Sequence, residues 1–135
     1  MTVIICVDDQ GGILFNRRRV SSDRQVIADI MSYTGDSVLH MNEYSAKLFS
    51  GYENICISDD CITNAAAGDI CFLECSMPED LFQKTKKVVL YHWNRMYPSD
   101  VKFPLKQLRN RAKLLSRMEF EGHSHQRITR EVYTL

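Results

Sequence analysis

Residues 3–16 read VIICVDDQGGILFN. Val3–Val7 is a short, largely β-branched apolar run, and DDQGG behind it is rich in turn formers, so the stretch reads as a buried strand followed by a turn. A secretory leader would need a basic start and a longer apolar stretch, and this run has neither and ends in two aspartates. The fold question therefore becomes which elements follow this strand, and in what order.

Outward from it, Ser21 or Ser22 is expected to cap a helix with Asp23 in its first turn, with Val26, Ile27, Ile30, Met31 and Tyr33 as its apolar stripe and Gly35 past its end. Ser37–Met41 is a second strand. Asn42 opens a short amphipathic helix carrying Tyr44, Leu48 and Phe49, which Gly51 ends. Asn54–Ile57 is a third strand, and Asp59–Ala67 is expected to be a short helix ended by Gly68. Ile70–Leu73 is a continuous apolar strand. Pro78 suits the first position of another helix, with Glu79 and Asp80 in its first turn. Val88–Trp93 is a strong strand, and 94–104, with Pro98 and Pro104, an irregular loop. Lys113–Phe120 and Arg127–Leu135 form a closing hairpin across GHSH, although Leu105, Leu108, Ala112 and Leu115 also have helical spacing. Strands alternate with helices and then two strands come in succession. That pattern is α/β: a mainly parallel central sheet flanked by helices, with a C-terminal antiparallel hairpin.

The bulk properties agree with one domain over residues 1–135. The chain is 44% hydrophobic and 25% charged, ordinary for a globular protein. Lys plus Arg and Asp plus Glu are both 17, and this neutrality argues against nucleic-acid binding as the main task. No apolar run reaches membrane-spanning length. Five cysteines, an odd number scattered through apolar runs, do not make a disulfide framework and point to a reducing compartment, the cytoplasm.

The order resembles dihydrofolate reductase along essentially the whole chain, in shortened form. VIICVDDQGGILFN resembles that family's first strand and glycine-containing active-site loop. SSDRQVIADI sits where the family has its Pro-x-Asp-Leu helix start, and LHMNEYSAKLF resembles the segment that reads Met-Gly-Arg-x-Thr. ENICIS resembles the Asn-Ile-hydrophobic-hydrophobic-Ser strand, KKVVLYHWN…DVKFP the later core strand and its Asp-Thr-x-Phe-Pro loop, and FEGHSHQRITREVYTL the last hairpin. The resemblance implies Asp23 as the acid that fixes a pterin and assists its protonation. It implies Asn42, Ser45, Ser58, Cys75 and Ser76 on the cofactor side, and Val7, Phe15, Ile27 and Tyr91 on the substrate side. Asp23 also has a plainer role, since an acid at a helix N-terminus gains about 0.3–1 kcal/mol from the helix dipole.

Departures from the family's pattern are concentrated where NADPH would lie. Glu74 and Cys75 replace a Gly-Gly pair that lets the backbone approach phosphates. Asn42 and Glu43 replace Gly and Arg, and Asp59 and Asp60 stand where groups accept the 2′-phosphate. An acid close to a phosphate costs on the order of 1–4 kcal/mol even at an effective dielectric near 20. The Leu-Pro-Trp segment before the acid is missing, and Arg17, Arg18 and Arg19 follow Asn16 instead. The expectation is a diverged reductase-like domain without standard NADPH chemistry, acting as a small-molecule-binding or interaction module with an unidentified small molecule or protein as partner. One alternative is an active oxidoreductase with altered nucleotide cofactor use and Asp23 as its acid. The other is a phosphate or nucleic-acid binder using Arg17, Arg18, Arg19 and Arg24.

The remaining motifs carry less. Lys102–Arg117 is an acid-free basic stretch that a solvated face explains. His123 and His125 lie two apart, but a hydrolytic metal centre needs further ligands, and there is no His-x-His-x-Asp-His motif, so no metal is expected. The cysteines have no Cys-x-x-Cys spacing. Tyr44, Tyr91 and Trp93 are the aromatic candidates for a planar ligand. Ser21 and Ser22 lie in no recognisable Ser/His/acid motif.

Overall fold

A computed structural model describes residues 1–75 and 77–135. Among these residues, ten strands and four α-helices run β1 (Thr2–Val7), β2 (Gly12–Phe15), β3 (Arg18–Arg19), α1 (Arg24–Thr34), β4 (Leu39–Met41), α2 (Glu43–Ala46), β5 (Ile55–Ile57), β6 (Ile70–Phe72), α3 (Leu81–Lys84), β7 (Lys87–His92), β8 (Val101–Lys102), α4 (Leu105–Arg111), β9 (Lys113–Phe120) and β10 (Ile128–Thr134). A 3-10 turn, Lys47–Phe49, follows α2.

Seven strands form the main sheet in the order β5-β4-β6-β1-β7-β10-β9. β1 is paired in parallel on both sides, with β6 and β7. β10 returns antiparallel to β7, and β9 antiparallel to β10. The apolar run at Val3–Val7 follows from this position, because both faces of β1 are covered. Val3, Ile5 and Val7 join one core with Val88, Leu90, Phe103 and Leu108. Ile4 and Cys6 join a second core with Val26, Ile30, Phe49 and Tyr91 on the other side. Helix α1 supplies the second core through its Val26/Ile27/Ile30 stripe. Burying each such side chain contributes about 1.5–3 kcal/mol.

A second, small sheet runs β3-β2-β8. Its β2–β3 hairpin turns on Asn16 and Arg17, both at positive φ (54° and 65°), the geometry of a two-residue turn that matches strand twist. This sheet claims Val101–Lys102 from the expected irregular loop, because those residues pair with Gly12 and Leu14.

Four other local expectations change. Asp23, not Ser21 or Ser22, caps α1, its side chain accepting the Gln25 N–H. Residues 59–67 form turns instead of a helix; the segment has too little periodic apolar surface to bury a helix face. The expected helix at Pro78 starts only at Leu81. The 105–117 stretch is both things in turn, helix α4 with Leu108 buried and then strand β9. Within β9 the register slips: Val132 faces Ser116 but Tyr133 faces Leu114, so Leu115 is an extra residue. All the cysteines are free thiols. Among the described residues, no helix is long and apolar enough to cross a membrane.

Candidate functional site

The loop between β3 and α1 brings Asp23 against the β9–β10 turn, one hundred residues away in sequence. Asp23 sits at extended backbone angles, φ −155° and ψ 126°, as an N-cap does. Its Oδ1 accepts the N–H of Gln25 and of His123, both at 2.9 Å. Its Oδ2 accepts the N–H of Ser124 at 2.8 Å, lies 3.2 Å from the Ser124 hydroxyl and 2.9 Å from His125 Nδ1. The side chain has no exposed surface. Burial raises the pKa of this carboxyl, but the hydrogen bonds from His123, His125, Ser124 and Gln25 outweigh burial and hold it well below the usual carboxylate range. The approach is close enough to require Gly122: a Cβ there would stand 2.7 Å from Asp23 Oδ2 and 2.7 Å from the His125 carbonyl oxygen.

His125 is the second member of this cluster. Its ring stacks on Trp93 with centroids 4.8 Å apart and planes at 27°. Its Nε2 lies 2.9 Å from Ser21 Oγ and 3.0 Å from Tyr97 Oη. An ionised carboxylate only accepts, so Nδ1 carries the proton it gives to Asp23; in the neutral ring Nε2 is then the acceptor facing the two hydroxyls. The structure thus joins Ser21, His125 and Asp23, a constellation that no local sequence motif announces.

A second cluster lies at the carboxyl ends of β1 and β6. Glu74 is buried, and Arg19 meets it with two N–H bonds, Nε to Oε2 at 2.9 Å and Nη2 to Oε1 at 3.1 Å. The Ser45 hydroxyl donates to Oε1 at 2.8 Å. Arg19 also stacks over Tyr44, 4.2 Å from the ring centroid, and its own N–H donates to the Tyr44 hydroxyl at 3.0 Å. Burial pushes the Cys6 thiol up, Glu74 adds to that, and Arg19 opposes it.

The three consecutive arginines are not placed alike. The hairpin leaves Arg17 in the turn and Arg18 exposed, while Arg19 folds inward onto Glu74. Arg24 is exposed at the start of α1. On the expected cofactor side, Asn42 caps α2 by accepting the Ser45 N–H at 2.8 Å, and Ser58 donates its N–H to the Met41 carbonyl. Asn42 and Cys75 line a crevice of about 230 Å³ with Asp59, Asp60, Phe72 and Met77, outside the carboxyl ends of β4 and β6, where open α/β sheets bind ligands. Ser76 lies outside the described residues. On the expected substrate side, Ile27 lines a separate cleft of about 330 Å³ with Ser22, Leu48, Ser50 and Tyr52. Val7 and Tyr91 are fully buried in the cores. The Tyr91 hydroxyl donates to Asp29 at 2.7 Å, an oxygen it shares with Arg130. Phe15 is largely exposed on the hairpin. Among the described residues, no group of three or more His, Cys, Asp or Glu is arranged to hold a metal ion.

No family model and no curated protein matches the chain by sequence. In shape it is similar to the dihydrofolate reductase from Enterococcus faecalis complexed with NADP(H) and RAB-propyl. The TM-score is 0.68 at 11% identity, over 98% of this chain and 94% of that one. The chain has a dihydrofolate reductase-like fold.

Proposed function

We propose that this domain uses the reductase-like fold to bind a small molecule or a partner and does not carry out NADPH-dependent reduction. The observation that carries this reading is the Arg19–Glu74–Ser45 cluster. In the resembling family the Glu74–Cys75 position is a glycine pair against which phosphates lie. Here a buried carboxylate stands at that position with its own arginine bound to it. The crevice nearby adds Asp59 and Asp60. Side chains of this charge do not fit a dinucleotide phosphate. They suit a neutral or cationic ligand whose apolar part would meet Phe72, Leu73 and Met77.

The two alternatives receive less support. An oxidoreductase acid must reach its substrate, and both Asp23 oxygens are committed to the helix cap, the hairpin and His125. A phosphate-binding arginine patch loses Arg19 to Glu74. The five free thiols suit a reducing compartment such as the cytoplasm.

Thermal unfolding with NADPH, NADH, dihydrofolate and an antifolate tests this reading. A ligand at 100 times its Kd adds about 2.7 kcal/mol of stability. The expected result is no shift with either nucleotide. A shift with NADPH plus antifolate, together with NADPH oxidation that Asp23→Asn abolishes, overturns it.

A further inference from the structure

We propose that Ser21, His125 and Asp23 form a nucleophilic triad that hydrolyses small carboxylic esters through an acyl-serine. The inference rests on a cluster separate from the Arg19–Glu74 site. Helix capping accounts for the Gln25 N–H on Asp23, and hairpin docking accounts for the N–H groups of His123 and Ser124. Neither task calls for the imidazole, nor for a hydroxyl on its far nitrogen. Yet Ser21 Oγ lies 2.9 Å from Nε2, and Nδ1 lies 2.9 Å from Asp23 Oδ2. These are the contacts by which a base activates a serine and an acid orients the base.

The gradient of exposure also fits. The acid and imidazole side chains are 0% and 3% exposed, whereas Ser21 is half-buried and faces solvent in part. Trp93 fixes the ring from its face. Asp8 accepts the Tyr97 N–H at 3.0 Å, which helps to set the Tyr97 hydroxyl on the same Nε2. We assign Tyr97 as a positioning residue. The cleft of about 330 Å³ starts at the next residue, Ser22, and its Ile27, Leu48 and Tyr52 suit a short apolar acyl chain.

In the first half-reaction Ser21 Oγ attacks the ester carbonyl carbon and its proton passes to His125 Nε2. The ester C–O bond breaks, and the departing alcohol oxygen takes that proton. In the second, water attacks the acyl-serine carbonyl, giving its proton to Nε2. The bond to Oγ breaks, Ser21 regains the proton, and a carboxylic acid leaves. One ester and one water yield one acid and one alcohol.

The full chain is tested with p-nitrophenyl acetate and butyrate, and with a fluorophosphonate probe followed by peptide mass spectrometry. The expected result is turnover with the label on Ser21. Ser21→Ala should unfold at nearly the same temperature as the parent, lose the label and lose turnover on the order of 100-fold or more. Tyr97→Phe, which keeps the ring, should retain the label on Ser21. Turnover equal to the parent in Ser21→Ala, a label on Tyr97 or elsewhere, or neither turnover nor label in the parent overturns the proposal. Nucleotide-induced thermal shifts do not enter these readouts, so this inference and the ligand-binding reading fail separately.

Discussion

Asp23 and Glu74 are both buried carboxylates at loop ends, but they are held in different ways. Asp23 takes three of its bonds from backbone N–H groups, those of Gln25, His123 and Ser124. Glu74 is held by side chains, those of Arg19 and Ser45. Backbone donors remain whatever the side chains become, so removing Asp23 takes the acceptor from three of them at once. A side-chain partner can be removed together with the acid it serves. The first carboxylate is therefore held by the backbone itself, and the second by side chains that can be exchanged together with it.

The largest effect expected is for Asp23→Ala. It removes a helix cap and strands two hairpin N–H groups, a loss on the order of 3–5 kcal/mol by urea unfolding. A loss below about 1 kcal/mol would erase the contrast. Next is Arg19→Ala, which leaves Glu74 buried without its cation and should cost about 3 kcal/mol. The paired change Arg19→Met with Glu74→Leu should return to within about 1 kcal/mol of the parent, and a double mutant as unstable as the two singles summed would place Glu74 in the same class as Asp23. Gly122→Ala comes third, at about 1–3 kcal/mol, because its methyl must displace Asp23 or the His125 carbonyl.

Acid titration sharpens the comparison further. The Asp23 carboxyl is depressed in the folded state, against about 3.9 when unfolded. Its contribution is complete above the unfolded value and is lost as pH falls towards the folded one. The melting temperature should fall steadily below about pH 4, and Asp23→Asn should flatten part of that limb. The smallest effect is for Ser21→Ala, within about 0.5 kcal/mol, since Tyr97 still faces His125 Nε2.

Much of the architecture was legible because it is written locally. The apolar run at Val3–Val7 could only be a covered strand, and the stripe at Val26, Ile27 and Ile30 could only face a core. The closing hairpin followed from two apolar segments around GHSH. The small sheet was not legible, because β3 and β8 have two residues each and pair only after the chain has folded. The site was legible in parts. Asp23 stood out, but its neighbours His123–His125 lie about a hundred positions away, and only the hairpin register brings them in. Arg17, Arg18 and Arg19 read as one patch because composition carries no direction. The hairpin turns Arg19 towards Glu74 and leaves its neighbours outside.

Leu115, the extra residue in β9, bears on how copies of this protein coexist. β9 is an outermost strand with both faces largely exposed, and such edges invite another chain to add on and propagate. The slip puts residues before and after Leu115 out of phase. A strand laid alongside would match the pleat for only part of its length before its side chains met the wrong face. The irregularity therefore disfavours a regular edge-to-edge addition along the whole of β9.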